Sequence, residues 1–304
     1  MDAVALKNIS KAYSGNKAVD DVSFKVNQGE LFGLIGPDGA GKTSIFRMLT
    51  TLLVPDAGTA SVMGFDIVKD YKKIRSGIGY MPEHFALYPD LTVAENLNFF
   101  AAIFNTRIRE NYHLVKDIYA QIQPFKNRRA GRLSGGMKQK LTLCCALIHK
   151  PSILFLDEPT TGVDPVSRKE FWEMLQRLKA QQITTLVSTP HMDEASQCDR
   201  IAWLQSGKIL SIDTPSDVTA AYEDPIYAVK ADNMYRLLQV LKNAPGVKDN
   251  YTFGEFAHLI FNKEKPETEA FIDFLKEKGL SGIELKRVKA TLEDGFIKRL
   301  KTVI

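Results

Sequence analysis

The stretch "GELFGLIGPDGAGKTSIFRMLTTLL" at residues 29–53 constrains the fold more than any other part of the 304-residue chain. Residues 31–35 form a short apolar run typical of a buried strand, and a glycine-rich loop follows at 36–41. Apolar residues at helical spacing then predict a helix over 43–53. A strand that leads through such a loop into a helix is the geometry of a phosphate-binding loop. The chain is therefore predicted to contain an α/β nucleotide-binding unit.

The loop fits the pattern G-x-x-x-x-G-K-[ST] between Gly36 and Thr43. Glycines let backbone N–H groups approach an anion, Lys42 supplies positive charge for the outer phosphates, and the Thr43 hydroxyl can bind Mg²⁺. A glycine-rich turn before a core helix is the alternative, which the presence of both flanking elements disfavours. The predicted nucleotide contacts in this loop are Gly36, Pro37, Asp38, Gly39, Ala40, Gly41, Lys42, Thr43 and Ser44.

A pair of acids follows a second apolar run in "PSILFLDEPTTGVDP" at residues 151–165. Asp157 and Glu158 stand at the end of a predicted strand over 153–156. Two adjacent acids in this position can hold Mg²⁺ through the first and polarise an attacking water through the second. The motif alone could equally be a capped turn. Beside a phosphate loop, it predicts a Mg²⁺ site next to the bound phosphates.

A third motif, "LSGGMKQK" at residues 133–140, offers another phosphate-binding helix end. Ser134 is the predicted N-cap, and Gly135 and Gly136 follow it. One chain has no use for two γ-phosphate sites about a hundred residues apart. In this order the motifs resemble the ATP-binding-cassette (ABC) ATPases, in which this signature of one subunit closes over ATP held by the partner's phosphate loop. The resemblance covers residues 3 to about 217 and is closest to the ATPases of multidrug and ABC-2-type exporters.

The resemblance implies a domain organisation. Residues 1–217 are expected to form a P-loop NTPase of the ABC ATPase type, an α/β domain with a mixed-sheet core and an α-helical subdomain at about 85–150. That subdomain would dock a membrane partner, although its apolar residues fit helix core equally well. Residues 218–304 read as alternating strands and helices and are expected to form a small α+β accessory domain with antiparallel strands.

The resemblance also assigns roles to single residues. Tyr13 takes the place of the aromatic residue that stacks on adenine, although a lone tyrosine is more often part of a core. Asp157 and Thr43 become Mg²⁺ ligands, Glu158 becomes the general base, and the loop around Asp164 would cross a dimer interface.

Two positions depart from the family pattern. After "YMP" the family has a glutamine that helps bind Mg²⁺ and water, whereas this chain has Glu83, an acid that adds negative charge and cannot donate a hydrogen bond. After "TTLVST" the family has a catalytic histidine, whereas here Pro190 precedes His191. Glu83 and His191 remain the candidates for those two roles, but the His191 ring is expected to point elsewhere, as in an exposed turn.

Both departures lie on the ATP site that this chain's own phosphate loop builds, whereas Ser134, Gly135 and Gly136, which would serve a partner's site, are intact. This asymmetry favours a heterodimer or a tandem protein with a second ABC ATPase domain over a homodimer. The ATP site that this chain's own phosphate loop builds is then expected to hydrolyse ATP poorly.

Composition limits the remaining alternatives. With 44% hydrophobic and 25% charged residues the chain is typical of a globular protein, and no apolar run approaches the roughly 20 residues of a membrane span. The first residues, "MDAVALKNIS", show no secretory signal. Three cysteines lack metal-ligand spacing, and a formal charge of +4 does not indicate nucleic-acid binding. The expected location is the cytoplasm, peripherally on the cytoplasmic face of the inner or plasma membrane.

Three functional hypotheses follow. The first is the ATPase subunit of a multidrug or ABC-2-type exporter, working with an ABC-2-type membrane permease. The second is a non-transport cassette protein of DNA repair or translation, which the separation of only about 115 residues between the phosphate loop and "LFLDEP" disfavours. The third is a regulatory half that binds nucleotide, hydrolyses it weakly and pairs with an active cassette.

Overall fold

A computed structural model describes residues 2–220, 222, 224–263 and 266–303, the last five of these by their backbone alone. The chain divides into two compact units, Met1–Pro215 and Ser216–Ile304. The boundary predicted from the sequence lies between residues 217 and 218. Each unit has its own hydrophobic core.

The first unit contains strands in two sheets and helices between them. Its strands are β1 Asp2–Tyr13, β2 Asn16–Asn27, β3 Leu31–Ile35, β4 Ala57–Val62, β5 Phe65–Asp66, β6 Ile78–Met81, β7 Ile153–Asp157, β8 Thr184–Thr189, β9 Arg200–Gln205 and β10 Lys208–Asp213. Its helices are α1 Lys42–Leu49, α2 Tyr71–Gly77, α3 Val93–Ile103, α4 Ile108–Ile122, α5 Gly135–Leu147, α6 Pro165–Ala180 and α7 Met192–Ala195, and α8 Pro215–Ala220 spans the division between the units.

The central sheet has the strand order β10-β9-β3-β8-β7-β6. Strands β9, β3, β8, β7 and β6 run parallel, and β10 is antiparallel to β9. Every residue of β3, β7 and β8 is buried, as expected for parallel strands covered on both faces. Because parallel strands end at the same edge, this sheet brings the segments after β3, β7 and β8 together.

A second, antiparallel sheet of order β2-β1-β4-β5 packs its apolar residues into the same core. The second half of β2 alternates buried and exposed residues, as a sheet with one covered face requires. This sheet was not predicted from the sequence.

The helix after the phosphate loop is shorter than predicted. It ends at Leu49 rather than at residue 53. The Thr50 hydroxyl donates a hydrogen bond to the Phe46 carbonyl, and Thr51 takes a left-handed conformation with φ +63°, which a continuing helix cannot accommodate. Leu52, predicted on the apolar face, is exposed as a result.

Between β6 and β7 lie α3, α4 and α5, the region predicted as a helical subdomain. Helix α3 begins with a capping box in which Thr92 and Glu95 satisfy each other's backbone N–H groups. Cys144 and Cys145 are buried in α5 with free thiols. Within the described residues, no helix is both long enough and apolar enough to cross a bilayer.

The second unit is an antiparallel sheet with helices, as expected from the sequence. Its strands are β11 Ile226–Lys230, β12 Val247–Phe253, β13 Phe256–Phe261 and β14 Glu284–Val288, and its further helices are α9 Met234–Leu241, α10 Thr268–Glu277 and α11 Leu292–Val303. The order is β12-β13-β11-β14, with antiparallel pairing throughout the described residues. Strand β12 was not predicted, because its residues are mostly half-buried and give no apolar run.

Candidate functional site

The phosphate loop connects β3 to α1 and depends on glycine at two close approaches. Gly41 has φ +107°, and a Cβ there would lie 2.2 Å from the Ala18 carbonyl oxygen. A Cβ on Gly36 would lie 2.2 Å from the Leu204 carbonyl oxygen. Any side chain would therefore displace the loop. The fold holds the N–H groups at the start of α1 toward the end of the sheet, where an anion is stabilised.

Lys42 is buried inside its own loop. Its Nζ donates hydrogen bonds to the carbonyl oxygens of Gly36 at 2.7 Å and Pro37 at 3.1 Å, and lies 3.0 Å from Glu158 Oε1. Lys42 and Glu158 are 3% and 9% exposed. A buried charge of either sign needs such a partner, so the pair links the phosphate loop to the segment after β7.

Asp157 is fully buried at the end of β7 and has an unused oxygen. The Ser188 hydroxyl donates to Oδ1 at 2.6 Å, but Oδ2 makes no hydrogen bond of normal geometry. Burial raises the pKa of Asp157, and the charges of Glu158 and Glu83 raise it further, while Ser188 and the nearby Thr43 hydroxyl oppose the shift. An orphan carboxylate oxygen beside a threonine hydroxyl is a donor set that fits Mg²⁺, which prefers oxygen ligands.

Glu158 is held by its backbone as well as by Lys42. Its φ of +47° is left-handed, a strained conformation for a residue with a side chain. Its N–H donates to Ser188 Oγ at 2.9 Å, and the Thr161 hydroxyl donates to its Oε2 at 3.2 Å. The surrounding hydrogen bonds therefore fix both the carboxylate and the strained backbone of this residue.

Tyr13 stands beside the same loop. Its hydroxyl lies 3.3 Å from Ser44 Oγ, and 42% of the residue is exposed. A half-exposed aromatic ring at a phosphate loop can stack on a base, whereas a core tyrosine would be covered.

Glu83 and His191, the residues at the two positions that depart from the family pattern, have different surroundings in the structure. The Glu83 side chain is 39% exposed, lies 3.7 Å from the Nδ1 atom of His84 and is close enough to influence the pKa of Asp157. The backbone N–H of His191 donates to Thr189 Oγ1 at 3.0 Å. Among the described residues, no side-chain hydrogen bond of the His191 ring is found, and the residue is half-buried.

The signature motif forms a separate helix end. Ser134 caps α5 by accepting a hydrogen bond from the Met137 N–H at 3.4 Å, and Ser134 and Gly135 are exposed. A Cβ on Gly136 would lie 2.6 Å from Ser167 Oγ of α6. The neighbours of this helix end thus belong to α6 and the loop before it, whereas Lys42, Asp157 and Glu158 are grouped around the phosphate loop.

Asp164, the N-cap of α6, has a pKa lowered by the hydrogen bond from the Ser167 N–H.

The polar residues behind the site were not predicted from the sequence. Ser188 bridges Asp157 and Glu158, and Glu194 accepts hydrogen bonds from Thr160 and Thr189. The available indication for Ser188 and Thr189 was that two hydroxyl residues, of types that are mostly exposed in proteins, end the apolar run "TTLVST".

A groove of about 550 Å³ opens beside α3, α5 and β6. Its lining is mainly apolar and aromatic, with the side chains of Arg47 and Arg75 contributing positive charge. The apolar part includes Ile78, Tyr80, Leu87, Phe100, Phe104 and Ala146. Leu52, which also lines the groove, is 57% exposed.

Comparisons with known proteins agree on one family. A family model described as ABC transporter matches residues 19–161. The chain is 36% identical over 304 residues to the probable multidrug ABC transporter ATP-binding protein YbhF of Escherichia coli (strain K12), covering 98% of this chain and 52% of that protein. It is 39% identical over 300 residues to Nod factor export ATP-binding protein I of Mesorhizobium japonicum, covering 97% and 86%. The chain therefore spans about half the length of YbhF.

Solved structures show the same fold in the larger unit. An ATP-binding subunit of an ABC transporter superposes with a TM-score of 0.66 at 27% identity, covering 72% of this chain and 93% of that one. A dimeric ATP-binding cassette in a post-hydrolysis state, bound to ADP and Pi, superposes with a TM-score of 0.63 at 26% identity, covering 69% and 98%.

Proposed function

The chain belongs to the family of ABC transporter ATP-binding proteins, and from this premise we propose that it binds and hydrolyses ATP to energise a membrane exporter. The predicted family and α/β fold class are confirmed. One observation carries the proposal: Lys42, Asp157 and Glu158 lie together at the end of the central sheet, with the phosphate loop around them.

In this proposal the phosphate loop and Lys42 bind the ATP phosphates, and Tyr13 stacks on the adenine. Thr43 and Asp157 would hold Mg²⁺, with Glu83 as a further oxygen ligand, and the ion would neutralise charge on the phosphates. Glu158 orients and deprotonates the attacking water. For this Glu158 must exchange its contact with Lys42 for one with water, so phosphate binding at Lys42 releases the base.

We also propose a membrane partner, an ABC-2-type permease. The apolar groove lined by α3 and α5 is the surface that suits it, because exposed apolar and aromatic residues rimmed by charge are typical of a protein contact site. The relatives named as multidrug and export proteins support this partner and a peripheral position on the cytoplasmic face of the membrane.

The second partner is another ABC ATPase domain. Ser134 and Gly135 are exposed at a helix end next to the loop around Asp164, and Gly136 behind them packs closely against Ser167, which suits contact of this helix end with ATP on a second cassette. The intact signature beside the two departures at Glu83 and Pro190 supports a tandem or heterodimeric pair over a homodimer. Glu83 and Pro190 would then weaken only the site built by this chain's phosphate loop.

Glu83 and Pro190 also favour one alternative function, that of a regulatory half of a cassette pair that binds nucleotide but hydrolyses it weakly. Glu83 brings a third carboxylate toward Asp157 and Glu158, and His191 lies one residue beyond the family's catalytic position. Steady-state ATPase activity of the purified chain separates the two. Turnover that Glu158→Gln abolishes supports an active own site, whereas ATP binding without turnover supports the regulatory half.

A further inference from the structure

A buried carboxylate behind the site joins three segments of the chain. Glu194 is 1% exposed, and both of its oxygens are engaged. Oε1 accepts a hydrogen bond from Thr160 Oγ1 at 2.5 Å, and Oε2 accepts one from Thr189 Oγ1 at 2.5 Å. Arg168 Nε lies 3.4 Å from Oε1, an ion-pair contact without a hydrogen bond of normal geometry. The contacts join residues that lie up to 34 positions apart in the chain.

Each of the three residues that contact Glu194 lies close in the chain to a residue of the proposed site. Thr160 is two residues after Glu158, and Arg168 lies in the first turn of α6, which Asp164 caps. Thr189 is the last residue of β8, and its Oγ1 also accepts the N–H of His191. Glu194 therefore connects the general base, the loop toward the second cassette and the turn that departs from the family pattern.

The cost of this arrangement argues against a purely structural role. A buried carboxylate loses its hydration, and an apolar residue of similar size would stabilise a core at least as well. Charge-assisted hydrogen bonds to two hydroxyls, by contrast, fix geometry closely. Glu158 has a strained backbone, so a small movement of Thr160 would shift its carboxylate.

We propose that Glu194 is a positioning residue that holds the Glu158 turn, the Asp164 loop and the turn at 189–191 as one unit, an inference that rests on the proposed ATPase function. Through Thr160 it sets the position of the base, and through Arg168 and Thr189 it makes the interface loop and the His191 turn move with that base. Binding of nucleotide requires none of these contacts, so the role is confined to the hydrolytic step.

The test is Glu194→Gln in the full chain, because glutamine keeps the size but removes the charge and replaces one acceptor oxygen. We expect kcat to fall about tenfold or more while the KM for ATP changes less than about twofold, since misplacement of a catalytic group by a fraction of an ångström has effects of this order. Thr160→Val should cause a similar loss, and Thr160→Ser, which keeps the hydroxyl, should restore kcat.

The double variant Glu194→Gln/Thr160→Val should be no slower than either single variant, because both remove one contact. Glu30→Gln is the matched control, since Glu30 is 7% exposed and paired with Arg200 at 2.6 Å, at the far end of β3. An unchanged kcat in Glu194→Gln, additive losses in the double variant, or an equal loss in Glu30→Gln would overturn the proposal.

Hydrogen exchange tests the positioning role of Glu194 even if the chain hydrolyses ATP too slowly for kcat to be compared. In Glu194→Gln, but not in Glu30→Gln, the amides of 158–164 and 189–191 should exchange faster together. Faster exchange in one segment alone, or in neither, contradicts the proposed unit. A wild-type chain that binds no nucleotide would overturn the proposed function, and the exchange result would still decide the role of Glu194.

Discussion

The two units each bury an aspartate completely, but the two carboxylates differ in how many of their oxygens accept hydrogen bonds. In the second unit, Asp294 accepts hydrogen bonds on both oxygens: Tyr251 and His258 reach Oδ1 at 2.8 and 2.6 Å, and Thr291 reaches Oδ2 through its N–H and hydroxyl at 2.6 and 2.7 Å. In the first unit, Asp157 has one oxygen bonded to Ser188 and the other without a partner.

The pKa values follow this difference. Burial raises the pKa of both carboxyl groups, but for Asp294 the hydrogen bonds from His258, Thr291 and Tyr251 outweigh burial and leave the pKa below its ordinary value. For Asp157 burial dominates and the pKa is raised. A buried charge with all its partners stabilises the fold, whereas one that lacks a partner has a place for a ligand. This separates a structural carboxylate from a functional one.

The largest effect should come from Lys42→Ala, which acts on the first unit alone. It removes the charge-assisted contact to the phosphates, so ATP affinity should fall about a hundredfold or more. Titration of a fluorescent ATP analogue measures this, with Asp294→Asn as the control that leaves affinity unchanged. Equal affinities for Lys42→Ala and wild type would contradict the phosphate-loop assignment.

Asp294→Asn should have the next largest effect, on stability. Removing the charge of a buried, hydrogen-bonded cluster costs about 3 kcal/mol, because asparagine keeps only one acceptor oxygen and places an NH₂ donor against either His258 or Thr291. Thermal unfolding, with hydrogen exchange in β13, should show the loss in the second unit. Asp273→Asn is the control, because Asp273 is exposed and its pair with Lys276 contributes little. If both variants unfold at the same temperature, Asp294 has no structural role.

The elements that carry the candidate site were easier to predict than the contacts between them. The phosphate loop, Asp157 and Ser134 were predicted as site residues because each combines a residue type with a flanking strand or helix that is typical of a phosphate site, and the structure forms those strands and helices. Ser188 and Glu194 were missed, since their importance lies in contacts between segments far apart in the chain. The end of α1 was wrong because the backbone conformation of Thr51 is decided by tertiary packing. Strand β12 was missed for lack of an apolar run.

The smallest expected effect is that of Asp157→Asn on stability, and its sign is opposite to that of Asp294→Asn. Asp157→Asn keeps an acceptor for Ser188 but removes a buried charge whose second oxygen accepts no hydrogen bond of normal geometry, so the nucleotide-free chain should gain about 1 kcal/mol at neutral pH. A group whose folded pKa lies above its unfolded value of 3.8 stabilises the fold below that value and loses this contribution as pH rises through the folded pKa. The stability of wild type relative to Asp157→Asn should therefore fall as pH rises above about 4.

For Asp294 the sign is reversed. Its folded pKa lies below 3.8, so its contribution is present above that value and is lost as pH falls through the folded pKa. Chemical denaturation of both variants between pH 3 and 7 measures the two slopes. With Mg²⁺ and ATP bound, wild type should instead be more stable than Asp157→Asn, because the second oxygen of the wild-type carboxylate then gains a partner. Ligand at a hundredfold excess over Kd stabilises the chain that binds it by about 3 kcal/mol. If Asp157→Asn destabilises the nucleotide-free chain as Asp294→Asn does, the unpaired oxygen does not mark a ligand site.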